Sequence, residues 1–121
     1  LTAEYSKERR QFDKALAEFQ ALSHDMANCR TAVDGAEMLV YEAAWAHDTG
    51  REIAKLAPMA KLFACQTFRD TTAIGQQIFG GIGFTLEADI QLYFRRAKAL
   101  QGNWWDNRHL ERLIAAQVLD G

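Results

Sequence analysis

A carboxylate directly after two tryptophans is the first feature of this sequence with chemical potential. The stretch GNWWDN covers residues 102–107, and Asp106 is its only acid. A carboxylate within hydrogen-bond reach of a substrate proton can act as a general base. The same residue just before an apolar helical run can instead cap a helix by accepting a backbone N–H. Trp104 and Trp105 suit core or interface anchors, and His109 suits a cap contact with Asp106 rather than a catalytic pair.

Two arginines beside an aromatic ring form a second candidate site. Arg9 and Arg10 precede Gln11 and Phe12 in the stretch RRQF. A planar guanidinium can donate two parallel hydrogen bonds and therefore suits phosphate groups. A solvated basic turn is the alternative interpretation of the same residues.

Three glycines in a short stretch form a third candidate. QQIFGGIGF has glycines at positions 80, 81 and 83. Glycine lets a backbone approach a ligand closely, and backbone amides can cradle an anion. No strand precedes the segment, so it is not the dinucleotide fingerprint of α/β folds. Taken alone, it is typical of a loop that ends a helix. The histidines His24, His47 and His109 share no metal-ligand spacing, so no metal site is expected.

The elements that must position these residues are helices. Apolar residues recur in steps of three and four from Phe19 to Ala43, which predicts a helix of about 30 residues. It should end at HDTG, where Gly50 can adopt the left-handed conformation. A second long helix is predicted from Leu56 to Ile78, with Pro58 in its first turn.

Two shorter helices are expected to follow. Thr85 is the predicted N-cap of the third helix, with Glu87 in its first turn. That helix should stop at Gly102 and Asn103, and a last helix should cover 110–118. No strand is expected, because no alternating apolar run is bounded by turn signals. The sequence therefore predicts an all-α fold, an up-and-down four-helix bundle.

Composition narrows the class of protein. The 121 residues carry a net charge of −2, with 49% hydrophobic and 25% charged residues, as in one soluble globular domain. This balance argues against nucleic acid as a main partner, and no apolar run reaches membrane-spanning length. Cys29 and Cys65 form no disulfide or metal pattern, which fits a reducing compartment. The first residues, LTAEYSKERRQF, read as the end of a helix, so we expect a piece of a longer protein.

Taken in order, these segments resemble the C-terminal helical domain of the acyl-CoA dehydrogenase family. The resemblance rests on YSKERRQFDKALAEFQALSHDMA, AAWAHDTG, MAKLFACQ, QQIFGGIGFTLEADIQLYFRRAK and ERLIAAQ, and covers nearly the whole chain. It implies an FAD enzyme that removes an α proton and a β hydride from an acyl-CoA to give a trans-2-enoyl-CoA. It also implies an N-terminal helical domain, a middle β domain, assembly as a dimer or tetramer, and an electron-transfer flavoprotein as acceptor. The implied compartment is the cytoplasm, or the mitochondrial matrix in a eukaryote.

The resemblance also assigns residues. Arg9 matches the arginine that reaches the FAD pyrophosphate from the neighbouring subunit. The remaining implied cofactor contacts are Arg10, Gln11, Phe12 and Gln20 along the same segment, and Gln77, Gly80 and Gly81 against the adenosine half of FAD. The family often has Gly where Asp13 stands and Pro where Ala15 stands. These differences can alter the loop without removing the contact residues.

The catalytic base is the point at which the resemblance is weakest. Many members carry a base glutamate in Y-E-G-T, but counting from either side places that position at Trp104 or Trp105. Three alternatives stay open. Asp106 is the base, displaced by one position. The base lies on the helix before this chain, as in the isovaleryl branch. The chain has no base and is the non-catalytic partner in a heteromer. Asn107 and His109 are weak stand-ins for the flavin contacts that follow the glutamate.

Overall fold

The computed structural model describes residues 1–119. The chain begins with a short helix, a two-residue-strand hairpin and a 3-10 turn: α1 (Thr2–Glu8), β1 (Arg10–Gln11), β2 (Lys14–Ala15) and the turn Leu16–Glu18. The rest consists of four helices and a second 3-10 segment: α2 (Gln20–Asp48), α3 (Leu56–Phe79), the segment Gly80–Phe84, α4 (Ile90–Gly102) and α5 (Asn107–Leu119). The predicted all-α class, an up-and-down four-helix bundle, is confirmed.

The two long helices form the centre of the molecule. α2 and α3 run antiparallel, since Cys29 borders the same cavity as Ile78 whereas Tyr41, later on α2, borders the same groove as Ala64, earlier on α3. They are in close contact, because the ring of Phe63 lies 3.3 Å from where a Cβ on Gly35 would be. Many of the buried core residues are small, including Ala36, Ala46, Ala60 and Ala97. Small side chains at a helix contact let the axes approach closely. α4 and α5 pack against α3 and bury Ile90 and Leu110. Among residues 1–119, no helix has the length and apolarity needed to cross a bilayer.

Most predicted helix boundaries are confirmed. The first long helix ends at Asp48, and Gly50 has φ 69°. Pro58 is the third residue of α3, and α4 ends at Gly102. The prediction for Thr85 was wrong. Its backbone N–H and its hydroxyl both bond to the carbonyl of Ile82 at 3.0 and 2.9 Å, closing the 3-10 segment instead of starting a helix.

The hairpin was also not predicted. β1 and β2 pair antiparallel, with Gln11 opposite Lys14. The two turn residues, Phe12 and Asp13, have φ of 52° and 63°, as a type I′ turn requires. The usual signal for this turn is Asn-Gly or Asp-Gly, which is absent here.

Candidate functional site

The hairpin presents the arginine cluster at one end of the bundle. The N–H of Arg9 donates to the carbonyl of Tyr5 at 2.9 Å and ends α1. The carbonyl of Arg9 accepts the N–H of Leu16 at 2.9 Å and so closes the base of the hairpin. Arg9, Arg10, Gln11 and Phe12 are all exposed.

The two arginines differ in what they contact. The Arg10 guanidinium donates to the carbonyl of Asp13 at 2.6 Å, which stabilises the turn. The Arg9 guanidinium has no hydrogen bond or ion pair within residues 1–119. Phe12 is 87% exposed and touches Phe19 only edge to face, with the ring centroids 6.5 Å apart. Arg9 is therefore available to an anion, whereas Arg10 supports the hairpin.

The glycine loop is tightly packed at one residue and open at two others. A Cβ on Gly83 would lie 2.8 Å from the carbonyl oxygen of Gln76 and 2.9 Å from the Cβ of Phe79. The buried side-chain amide of Gln76 donates to the carbonyl of Gly83 at 3.0 Å. A Cβ on Gly80 or Gly81 would meet nothing within 4 Å. The backbone at these two glycines can therefore be approached closely.

An aromatic stack joins α1, which leads into the hairpin, to the end of α3, which leads into the glycine loop. The rings of Tyr5 and Phe79 are parallel within 9°, and their centroids are 4.0 Å apart. Arg9 follows Tyr5 by one helical turn, and Gly80 directly follows Phe79. The structure thus brings the two predicted cofactor-binding segments to the same end of the bundle. The other two predicted contact residues, Gln20 and Gln77, are exposed near the start of α2 and the end of α3.

The turn between α4 and α5 is fixed at both ends. The Lys61 ammonium on α3 donates to the carbonyl of Leu100 at 3.0 Å, near the end of α4. The same nitrogen lies 2.9 Å from the sulfur of Cys65, one turn along α3. A cation at a helix C-terminus is favourable because the last carbonyls lack partners. Lys61 and Cys65 both form half-buried contacts that hold the turn.

Asp106 caps α5. Its Oδ1 accepts the backbone N–H of His109 at 2.8 Å, as an N-cap does. Its second oxygen has no hydrogen-bond partner within residues 1–119 and belongs to an exposed side chain. The carboxylate borders a cleft of about 350 Å³ together with Lys98 and Arg108. The predicted cap contact with His109 is therefore confirmed, and one oxygen of the carboxylate remains available.

The structure does not bring Asp106 to the arginine cluster. The glycine loop precedes α4, and Asp106 follows its other end. α4 has 13 residues, so it separates the two regions by about 20 Å at 1.5 Å per residue. The predicted site residues thus form two groups, one at each end of α4.

The sequence did not reveal the residues that hold these two groups in place. Lys61 and Cys65 are spaced i, i+4 on α3, which could have indicated a contact. Nothing in the sequence shows that the contact reaches Leu100, 39 positions away from Lys61. Gln76 was seen only as part of the glycine motif, and its amide proves to be the buried link to Gly83.

Known proteins match the chain along most of its length. Residues 1–103 match the family described as "Acyl-CoA dehydrogenase, C-terminal domain". The chain is 38% identical over 97 residues to the short/branched chain specific acyl-CoA dehydrogenase, mitochondrial, of Rattus norvegicus, covering 80% of this chain and 22% of that protein. It is 37% identical over 91 residues to the caffeyl-CoA reductase-Etf complex subunit CarC of Acetobacterium woodii, covering 75% and 24%.

A solved structure agrees with this match. The butyryl-CoA dehydrogenase of Megasphaera elsdenii superimposes with a TM-score of 0.94 at 32% identity, over 98% of this chain and 31% of that one. The chain therefore spans less than a third of the length of these relatives.

Proposed function

Because the chain belongs to the acyl-CoA dehydrogenase family, as its C-terminal helical domain, we propose that the full-length protein is an FAD-dependent acyl-CoA dehydrogenase. Its substrate is an acyl-CoA thioester, which loses a proton from the α carbon and a hydride from the β carbon to give a trans-2-enoyl-CoA. FAD, when bound, accepts the hydride. The observation that carries the proposal is that the stacking of Tyr5 on Phe79 brings the segment with the free guanidinium of Arg9 and the open backbone at Gly80 and Gly81 to the same end of the bundle.

The residues at this end of the bundle fit a dinucleotide cofactor. The free guanidinium of Arg9 supplies the charge that a pyrophosphate requires. The open backbone at Gly80 and Gly81 permits close approach. The exposed amides of Gln20 and Gln77 can pair with polar edges of the adenosine half. Arg10, Gln11 and Phe12 then lie along the same cofactor, with Arg10 keeping the hairpin in shape.

Loss of cofactor affinity tests this assignment. In the full-length protein, Arg9→Ala and Gln77→Ala should each weaken FAD binding, by roughly 10- to 100-fold for the charged contact of Arg9. Arg30→Ala is the matched control, because Arg30 is an exposed arginine already paired with Asp34 at 2.9 Å. FAD content and the dissociation constant are measured after gel filtration. Unchanged FAD affinity in both variants would contradict the assignment.

Asp106 is the proposed catalytic base. Its free oxygen can take the α proton, while its other oxygen holds the start of α5 through His109. The helix contact thereby orients the carboxylate. Aspartate is one methylene shorter than glutamate, so the turn must advance the backbone towards the substrate.

The alternative function is a non-catalytic assembly or partner subunit in a heteromeric dehydrogenase. One observation favours it: the carboxylate of Asp106 already serves as a helix cap, which alone would account for an acidic residue at this position. In that case the chain contributes cofactor contacts and subunit interface, and a related subunit supplies the base. In a third arrangement the base lies on the helix before α1, and the full-length protein catalyses the same reaction.

The remaining parts of the full-length protein follow from the same proposal. An apolar groove of about 460 Å³ runs between α2 and α3, lined by Val33, Ala36, Val40, Ala64 and Phe68 among others. Thr71 borders both this groove and the cavity beside Thr2 and Ala3 of α1. A helix continuing α1 in the N-terminal direction would therefore fill the groove. We place the N-terminal helical domain and the middle β domain before that helix.

Assembly and electron transfer complete the proposal. The 20 Å between the two groups of site residues fits an arrangement in which Arg9 serves the FAD of a neighbouring subunit, in a homo-oligomer or a heteromer. The relative from Acetobacterium woodii is named as part of an Etf complex, and we propose an electron-transfer flavoprotein as the acceptor here. The compartment is the cytoplasm, or the mitochondrial matrix if the source is a eukaryote.

A further inference from the structure

The turn between α4 and α5 contains a conflict between residue type and backbone conformation. Trp104 and Trp105 have φ of 67° and 113°, a region that bulky residues avoid. The neighbouring residues that tolerate such angles do not adopt them. Asn103 has φ −74°, and Gly102 is still part of α4. Backbone strain of this kind clusters at ligand-binding and catalytic sites, where the surroundings hold it in place.

The chain itself provides little that could hold the first indole. Trp104 is 86% exposed and Trp105 is 60% exposed. Trp105 packs against the ring of His109, with the centroids 5.1 Å apart. For Trp104 no aromatic or cation contact occurs within residues 1–119. A group that stabilises this strained backbone conformation is therefore expected outside residues 1–119.

The place of this turn in the chain limits what that group can be. The turn is anchored by Lys61 at the end of α4 and by the cap contact of Asp106 at the start of α5. Trp104 lies two residues before Asp106, so their Cα atoms are at most about 7 Å apart. This step rests on the proposed function: if Asp106 removes the α proton, the turn that carries the two tryptophans lies next to the acyl group and not next to the distant nucleotide parts of CoA or FAD.

We propose that Trp104 and Trp105 form an aromatic wall that selects acyl groups carrying a ring near the β carbon, aryl or alicyclic, over linear chains. Two adjacent indoles offer flat apolar faces of large area. A ring stacks on such a face at low entropic cost, because it is already rigid and its contact area is continuous. A linear chain loses conformational entropy, because rotation about several of its bonds must stop before it covers the same area. Trp104 is then a specificity-determining residue, and Asp106 remains the proposed catalytic base.

The selectivity ratio of the full-length, FAD-loaded protein tests the proposal. We would measure kcat/KM for 3-phenylpropanoyl-CoA and hexanoyl-CoA in the wild type and in Trp104→Ala, Trp104→Phe and Trp45→Ala. Trp104→Ala should lower the ring-to-linear ratio about tenfold, the effect of one good aromatic contact. Trp104→Phe should restore most of the ratio. Trp45→Ala is the matched control, a half-exposed tryptophan on α2 that lies under Arg51 and should leave the ratio unchanged.

Binding gives a second readout that does not need turnover. Cinnamoyl-CoA, the unsaturated product, should quench tryptophan fluorescence in Asp106→Asn, and the quenching should shrink in Asp106→Asn combined with Trp104→Ala. One outcome is that hexanoyl-CoA reduces the flavin while 3-phenylpropanoyl-CoA neither reduces it nor binds. That result would overturn the aromatic wall and leave the proposed function intact. If no acyl-CoA of either class reduces the flavin or binds, the proposed function fails first. If Trp104→Ala changes the oligomeric state but not the ring-to-linear ratio of kcat/KM, Trp104 and Trp105 form a subunit contact and the proposal is wrong.

Discussion

The glycine loop after α3 and the turn after α4 are both helix ends held by a side chain of α3. They differ in the type of residue that adopts positive φ. Each end is held by a side-chain donor on α3: Gln76 bonds the carbonyl of Gly83, and Lys61 bonds the carbonyl of Leu100. In the loop, the residue with positive φ is Gly80, at 65°. In the turn, positive φ falls on Trp104 and Trp105.

The conformation of the glycine loop is therefore specified by its own residues, whereas that of the turn depends on its surroundings. Glycine adopts positive φ without steric cost, so the loop is expected to hold its shape in the isolated domain. Two tryptophans at positive φ are strained, and the indole of Trp104 contributes almost no packing within the chain. The loop can thus present a preformed backbone to a cofactor. The turn, although anchored at both ends by Lys61 and Asp106, is expected to gain stability from a group outside the described residues.

Adding a methyl group at the tight point of the loop should have the largest effect. Gly83→Ala would place a Cβ 2.8 Å from a backbone carbonyl oxygen, which cannot move away cheaply. We expect a loss of about 2–3 kcal/mol in the free energy of unfolding, as for overpacking in a rigid site. Gly81→Ala, where a Cβ meets nothing within 4 Å, is the control. Denaturant titration measures both, and equal stability of the two variants would contradict the packing described.

Removing the two side-chain donors should have unequal effects. Gln76→Met leaves the buried carbonyl of Gly83 without a donor, and the expected cost is about 1–2 kcal/mol. Lys61→Met affects a half-buried carbonyl that water can reach, so its cost should be about half of that. Hydrogen exchange should quicken at 80–85 in the first variant and at 103–110 in the second. Faster exchange at both segments in one variant would show that the two ends are not independent.

Exchanging residue types between the two ends should change stability with opposite sign. Gly80→Ala puts a Cβ on a residue at φ 65° and ψ −143°, close to a backbone region that essentially only glycine adopts, and should destabilise by at least about 1 kcal/mol. Trp104→Gly removes strain and loses little packing, so it should be neutral or stabilising by up to about 1 kcal/mol in this domain alone. Thermal unfolding of the two variants measures this. A clear loss of stability in Trp104→Gly would mean that the indole already packs within the chain.

The cap at Asp106 should give the smallest change in stability. Asp106→Ala removes the acceptor for the His109 N–H and should cost about 1 kcal/mol or less at this exposed position. Asp106→Asn keeps a good cap residue, so its free energy of unfolding should stay within about 0.5 kcal/mol of the wild type. Denaturant titration again provides the comparison. Equal losses in both variants would indicate that the charge, and not the hydrogen bond, stabilises α5.

The sequence predicted the helices because their signals are local. The apolar spacing along α2 and the glycine at position 50 each act within a few residues, and both predictions were confirmed. Thr85 was misassigned because a threonine before an acid has the same local pattern whether it starts a helix or closes a 3-10 turn. The hairpin was missed because Phe12 and Asp13 carry no glycine signal.

The site was predictable only where its residues are close in sequence. The contact between Asp106 and His109 spans three residues and could be read from the sequence. The bond from Lys61 to Leu100 and the stacking of Tyr5 on Phe79 depend on how distant segments pack. The roles of Arg9, Gln77 and the glycines towards FAD came from the family resemblance and remain proposals.

The central claim is that the turn after α4 carries the catalytic base, and flavin reduction tests it most directly. The full-length protein would be prepared as wild type and as Asp106→Asn, which preserves the helix cap. Each would be mixed with a panel of acyl-CoA thioesters while the flavin absorbance is followed. We predict that the wild type bleaches and that Asp106→Asn retains its FAD but does not bleach. Equal bleaching of both proteins would contradict the claim and would leave Asp106 as a helix cap alone.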